Sequence, residues 1–84
     1  MRLALKLYAT LSDYLPAEAR HTNRLDLDVD PGTTPQMVIE RFAVPLKLCH
    51  LVLIDGVFVP PARRGTRVLK EGEVLAIWPP VAGG

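Results

Sequence analysis

Residues 25–35 read LDLDVDPGTTP. Apolar residues alternate with three aspartates, which predicts a strand with one face in water. Pro31-Gly32 ends this strand. The following Thr-Thr-Pro-Gln is typical of a helix start, because a threonine can cap free amides and Pro35 needs no donor in the first turn. The segment therefore predicts a half-exposed strand followed at once by a helix.

The helix and an earlier strand follow from the flanking sequence. Downstream, Val38, Ile39 and Phe42 form one apolar face, and Pro45 is expected to end a helix of two to three turns. Upstream, residues 2–7 alternate with leucine at every second position and predict another strand. The segment between the two strands is too long for a tight hairpin. It is expected to form a short turn of helix over one end of the core, carried by Leu11, Tyr14 and Leu15.

Residues 50–54 (HLVLI) and 74–78 (VLAIW) are apolar without alternation, so we expect two strands covered on both faces. Asp55-Gly56 between two apolar runs predicts a hairpin, since its turn needs positive φ. These elements predict an α+β domain, in which one helix packs across a mixed sheet. The first and last strands are expected side by side near the centre of that sheet.

Composition narrows the class of protein. The chain has 84 residues, a net charge of +1 and one cysteine. This length predicts a single domain. The near-neutral charge argues against a nucleic-acid binder, and one cysteine excludes an intramolecular disulfide and a cysteine-rich metal site. The N-terminus lacks the pattern of a signal peptide, and no segment is long and apolar enough to span a bilayer. We therefore expect a cytoplasmic protein that binds neither nucleic acid nor membrane.

The usual patterns of an enzyme are missing: there is no glycine-rich phosphate loop, nucleophile elbow or histidine-carboxylate metal spacing. Cys49 and His50 are adjacent, and neighbours on a strand point to opposite faces, so they make a poor nucleophile-base pair. Cys49 is expected to be a small core residue. Arg63 and Arg64 are expected in a solvated loop, with docking of an acidic partner as the alternative.

The last six residues, Pro79-Pro80-Val81-Ala82-Gly83-Gly84, differ from the rest of the chain. Two prolines cannot donate to a sheet, and two glycines bury nothing, so this segment adds little to the fold. It could be an incidental terminus. Its narrow, uncharged tip is also the form needed to enter an enclosed active site. We therefore divide the chain into a folded domain, 1–78, and an extended tail, 79–84.

With this tail, the chain resembles the family of ubiquitin-like sulfur carriers that contains the small subunit of molybdopterin synthase and the sulfur carrier of thiamine biosynthesis. The resemblance covers essentially the whole chain. It is closer to the molybdopterin branch and strongest in the segments LIDGVFV (53–59), LKEGEV (69–74) and IWPPVAGG (77–84). It implies a β-grasp fold and a carrier rather than an enzyme. Departures from the family are Tyr8-Ala9-Thr10-Leu11 after the first strand and Ala82 before the two glycines.

The resemblance also implies a reaction cycle. A ubiquitin-activating-type enzyme would use ATP and magnesium to adenylate the carboxylate of Gly84, and a sulfur donor would convert it to a thiocarboxylate. The large subunit of a molybdopterin synthase, or a similar acceptor enzyme, would then take the sulfur. No cofactor or metal is expected to stay bound. Carriers for thiamine or tRNA thiolation, a modifier joined to lysines through Gly84, and a plain interaction module remain alternatives.

Two aromatic residues are candidates for partner docking beside Pro80, Val81, Ala82 and Gly83. Phe58 lies near the tip of the predicted hairpin, and Trp78 lies where the tail leaves the domain. Other apolar residues already supply a core of this size. Either both rings cover the edges of the core, or at least one is exposed and belongs to a docking patch beside the tail.

Overall fold

The computed structural model describes residues 1–80. They form a five-stranded mixed sheet in the order β2-β1-β5-β3-β4, with one α-helix. The elements are β1 (Arg2–Leu7), β2 (Arg24–Asp28), α1 (Pro35–Arg41), β3 (Leu51–Ile54), β4 (Val57–Phe58) and β5 (Val74–Trp78). Short 3-10 helices occupy Ala9–Tyr14, Ala17–Ala19, Leu46–Leu48 and Pro61–Arg63.

The first and last strands lie side by side at the centre of the sheet, as the sequence predicts. β1 is parallel to β5, with Leu5 opposite Leu75, and antiparallel to β2. β3 is antiparallel to both β5 and β4. The Asp55-Gly56 hairpin between β3 and β4 has positive φ at both residues, 49° and 82°, which confirms the predicted turn.

The helix begins as the sequence indicates but ends earlier than expected. The Thr34 side chain accepts a hydrogen bond from the Met37 amide at 3.3 Å, and Pro35 is the first helical residue. The last helical residue is Arg41, before Pro45 is reached. Ala43 has a φ of 57°, and this left-handed conformation turns the chain out of the helix. The expectation that Pro45 ends the helix is therefore wrong.

The core lies between the sheet and the segments that cover one of its faces. Val38 and Ile39 of α1 belong to the same buried cluster as the inward residues of the strands. The segment between β1 and β2 contributes Leu11 and Leu15, both almost completely buried, which confirms that short helical turns cover one end of the core. Strand residues in this cluster are Leu3, Leu5, Leu7, Leu27, Val52, Ile54, Leu75 and Ile77.

Strands β3 and β5 are covered on one face only, which corrects the expectation from their continuous apolar sequence. Val52 and Ile77 are fully buried, whereas Leu51 and Trp78, their neighbours in sequence, are 40% and 39% exposed. The helix and the 3-10 segments are too few to cover both sides of a five-stranded sheet. A face with apolar residues therefore remains in contact with water.

Candidate functional site at the end of strand β5

The last residues of β5 are held on both sides. The amide of Tyr8 donates to the carbonyl of Ile77 at 3.1 Å, and the amide of His50 donates to the carbonyl of Trp78 at 3.0 Å. Pro79 follows, and its missing N–H ends the hydrogen-bond ladder. The tail therefore begins from a fixed backbone position at the centre of the sheet.

The side chains at this position are also held. The rings of Tyr8 and Trp78 stack with their centroids 3.9 Å apart and their planes 7° from parallel. Tyr8 directly follows β1, and Trp78 ends β5, so the parallel pairing of the two strands brings the rings together. By sequence alone, Tyr8 stands out only as a departure from the family. Its position could have indicated the contact with Trp78. Tyr8 directly follows the first strand, and the sequence predicts that this strand lies beside the last one.

The face of the sheet away from the helix carries an apolar surface next to Trp78. We call it the open face and define it by Leu51, Leu53, Phe58, Ala76 and Trp78. Leu51 is opposite Trp78, and Leu53 is opposite both Ala76 and Phe58, so the five side chains share one side of the sheet. Phe58 is 48% exposed. Of the two alternatives that the sequence left open, the structure shows the exposed one for both rings, and their role in docking stays a prediction.

Charged residues border the open face on β1 and β2. Lys6 of β1 lies between Ala76 of β5 and Arg24 of β2. Since Ala76 is also opposite Leu53, these side chains lie on the same side of the sheet as the open face. Arg24 forms an exposed ion pair with Asp26 at 3.1 Å. The apolar open face is thus bordered by charged residues, an arrangement suited to a partner with an apolar contact and a polar rim.

A cavity of about 480 Å³ lies beside the β3–β4 hairpin. Phe58 lines it together with Arg63, Arg67, Asp55 and Glu73. Arg67 and Glu73 form an ion pair at 2.7 Å, and the Glu73 carboxylate also accepts from the Lys70 amide at 2.6 Å. The hydrogen bond from Arg67 holds the pKa of Glu73 below its ordinary value, and the same contact raises the pKa of Arg67. The charges of Arg63 and Arg67 balance those of Asp55 and Glu73, so the cavity has no net positive charge that would attract an anion.

Arg64 is not in a solvated loop, so that expectation is wrong. Its side chain is buried and donates to three carbonyl oxygens, those of Val59 at 3.1 Å, Cys49 at 2.8 Å and His50 at 3.3 Å. Burial lowers the pKa of the guanidinium, which nevertheless remains protonated. Its neighbour Arg63 is exposed. Sequence cannot distinguish the two arginines, because the acceptors come from two other segments, one at Cys49 and His50 and one at Val59.

Cys49 is a core residue, as predicted. It is 4% exposed, and its Sγ lies 3.6 Å from the carbonyl oxygen of Pro45. Burial raises the pKa of the thiol, and the nearby charge of Arg64 opposes this to a smaller extent. The thiol is therefore protonated and shielded from solvent. This argues against a role for Cys49 as a nucleophile, because the thiolate is the reactive form. His50 is exposed and directly precedes β3.

Residues 1–80 contain no cluster of three or more histidine, cysteine, aspartate or glutamate side chains placed to hold a metal ion. Within the same range, no helix is long and apolar enough to cross a membrane. Among the predicted tail residues, Pro80 is exposed. The roles predicted for Val81, Ala82, Gly83 and Gly84 stay predictions, because these residues lie outside the described part of the chain.

A five-stranded mixed sheet with one helix across it, and a chain that leaves from its central strand, define a ubiquitin-like β-grasp protein. Residues 1–82 match the family described as Mut7-C ubiquitin, and the chain belongs to that family. The predicted ubiquitin-like family and fold are thereby confirmed.

Two solved structures share the fold over their full length and that of this chain. SAMP1 from Haloferax volcanii is 23% identical, with a TM-score of 0.70 and 100% of each chain covered. A chain of the complex between subunits 1 and 2 of molybdopterin-converting factor from Helicobacter pylori 26695 is 14% identical, with a TM-score of 0.62 and 100% of each chain covered. No curated protein sequence matches the chain.

Proposed function

We propose that this chain is a sulfur carrier that bears a thiocarboxylate on Gly84 and donates its sulfur in cofactor biosynthesis, with molybdopterin as the product. The observation that carries the proposal is the placement of the tail. The Pro-Pro-Val-Ala-Gly-Gly segment follows the central strand beside an exposed apolar surface, the open face. A partner that binds this surface receives the tail in the same encounter. The structural similarity to a chain of the molybdopterin-converting factor complex supports the choice of pathway.

The chemistry needs two steps at the Gly84 carboxylate. A carboxylate oxygen first attacks the α-phosphorus of MgATP, which forms an acyl-adenylate and releases pyrophosphate. Hydrosulfide then attacks the activated carbonyl carbon. A C–S bond forms, the C–O bond to AMP breaks, and the products are a thiocarboxylate, AMP and a proton. The carrier supplies the reacting group, and a ubiquitin-activating-type enzyme supplies the acid-base and electrostatic work. Because the cycle consumes ATP, we propose the cytoplasm as its location.

The tail sequence fits this role. Residues 79–84 can span at most about 20 Å when fully extended, which is enough to reach into an active site beside the docked domain. Gly83 and Gly84 have no side chain to obstruct a narrow channel, and Val81 and Ala82 are small and uncharged. Docking through Phe58 and Trp78 brings the carboxylate close to the reacting group and lowers the orientational part of the barrier.

The test is a direct measurement of sulfur loading. Peptide mapping of the protein purified from its own cells first establishes that Gly84 carries the α-carboxylate, which the proposal requires. The protein is then incubated with an adenylating enzyme, MgATP and a sulfide source, and its intact mass is measured. We expect the mass difference of one oxygen exchanged for sulfur, located at Gly84. A variant without Gly83 and Gly84 is the matched control and should not change in mass.

Each outcome has a definite meaning. An unchanged mass with an adenylating enzyme that is active on another carrier would refute the proposal. Adducts to lysines that survive reducing gel electrophoresis would indicate a protein modifier instead. Transfer of sulfur from the loaded chain to a thiazole precursor or a tRNA, rather than to the molybdopterin precursor, would keep the carrier and change its pathway.

A further inference from the structure

The stack of Tyr8 on Trp78 joins two strands that are distant in sequence, directly at the first residue of the tail. Trp78 is bonded to Pro79, and its carbonyl is held by His50 at 3.0 Å. Tyr8 holds the neighbouring carbonyl of Ile77 through its own amide and covers one side of the indole with its ring. The backbone and the side chain at this point are therefore restrained together.

We propose that Tyr8 is a positioning residue, which directs the tail by holding Trp78. This inference rests on the proposed carrier function and deepens it. The indole of Trp78 remains 39% exposed, so it belongs both to the stack and to the open face. Without the Tyr8 ring, Trp78 can adopt other rotamers, and the indole next to Pro79 no longer has one fixed position. The docked domain would then present the tail in several directions, and only some of them lead into the active site.

The consequence is kinetic. Tyr8 is only partly buried, and it does not belong to the five residues that define the open face. Its loss should weaken docking only slightly, because Phe58, Leu51 and Leu53 keep their positions on the open face. It should slow the adenylation step, because fewer bound tails are oriented for attack. A merely structural role would instead lower the amount of folded protein and leave the turnover of the folded fraction unchanged.

The experiment is ATP–pyrophosphate exchange by a ubiquitin-activating-type enzyme that turns over the wild-type chain, with the carrier concentration varied. For Tyr8→Ala we expect kcat to fall about tenfold and KM to change by about threefold or less. Tyr8→Phe keeps the ring and should restore wild-type kcat. Tyr8→Leu keeps apolar volume without a planar ring, so it tests the stack where the alanine variant is poorly folded. Tyr14→Ala removes the other tyrosine, which is partly buried against the core and takes no part in the stack, and should leave kcat unchanged.

A second readout needs no partner. Trp78 is the only tryptophan, so its fluorescence reports the stack directly. Its emission should shift to longer wavelength in Tyr8→Ala and stay in place in Tyr8→Phe. A wild-type kcat in folded Tyr8→Ala, or an equal loss of kcat in Tyr14→Ala, would overturn the role of Tyr8 and leave the carrier function standing. A wild-type chain that no adenylating enzyme accepts would overturn the carrier function and this inference with it.

Discussion

The guanidinium of Arg64 donates to the carbonyl of Cys49 at 2.8 Å. The same side chain also donates to Val59 and His50, so one buried cation joins the end of β4 to the segment that enters β3. β3 is paired directly with β5, whose last residue is Trp78. The position of the candidate site thus depends on a side chain that takes no part in its chemistry.

Substitution of Arg64 should destabilise the domain. Arg64→Ala leaves three carbonyl oxygens without their donor, and we expect the free energy of unfolding to fall by about 2–3 kcal/mol. Urea denaturation measures this. The exposed neighbour provides the control, since Arg63→Ala should change the same quantity by about 0.5 kcal/mol or less. Equal effects at the two positions would contradict the structural role assigned to Arg64.

The ion pair between Arg67 and Glu73 should make stability depend on pH. The Arg67 side chain, and to a smaller extent the Lys70 amide, hold the pKa of Glu73 below its ordinary value. The stabilisation is therefore complete above the unfolded-state pKa of glutamate, about 4.3, and is lost as the pH falls through the lower folded-state pKa. Glu73→Gln should lower stability at neutral pH and flatten the decline below about pH 4.3.

Thermal unfolding between neutral and acid pH tests this, with Glu18→Gln as the exposed control. The control should follow the wild-type curve. If the melting temperature of Glu73→Gln runs parallel to that of the wild type over the whole pH range, the Arg67–Glu73 ion pair does not contribute to the loss of stability in acid.

Cys49 should matter for stability and not for chemistry. Cys49→Ser places a hydroxyl in an apolar site, and we expect a loss of roughly 1–3 kcal/mol without loss of sulfur loading. Cys49→Ala, which has no nucleophile, should also load sulfur on Gly84. Loading is measured by intact mass on protein shown to be folded. A folded Cys49 variant that fails to load would assign the thiol a chemical role.

Phe58 should contribute more to partner binding than to folding. Phe58→Ala is expected to weaken binding to the adenylating enzyme by about 2 kcal/mol, roughly thirtyfold in Kd. Because the ring is half exposed, the free energy of unfolding should fall by about 1 kcal/mol or less. Titration calorimetry and urea denaturation on the same variant measure the two quantities.

Val57→Ala is the matched control for Phe58, since Val57 is on the same short strand and opposite Ile54, on the other side of the sheet. It should bind nearly as the wild type does. Unchanged affinity in folded Phe58→Ala would move the docking surface away from the hairpin, toward Leu51.

The sequence by itself determined the local elements. Alternation at residues 25–30, the cap at Thr34 before Pro35, and the Asp55-Gly56 turn depend on residues close in the chain, and each appears in the structure as predicted. The tail sequence also predicts Gly84 as the reacting position without any tertiary information, and this stays a prediction.

Only the tertiary structure decided which apolar residues are covered. β3 and β5 have the composition of strands buried on both faces, yet a single helix and short 3-10 segments cover one face and leave Leu51 and Trp78 exposed. The burial of Arg64 and the stack of Tyr8 on Trp78 were decided in the same way. The physical reason is that coverage and stacking depend on which distant segments meet, whereas local patterns depend only on the geometry of neighbouring residues.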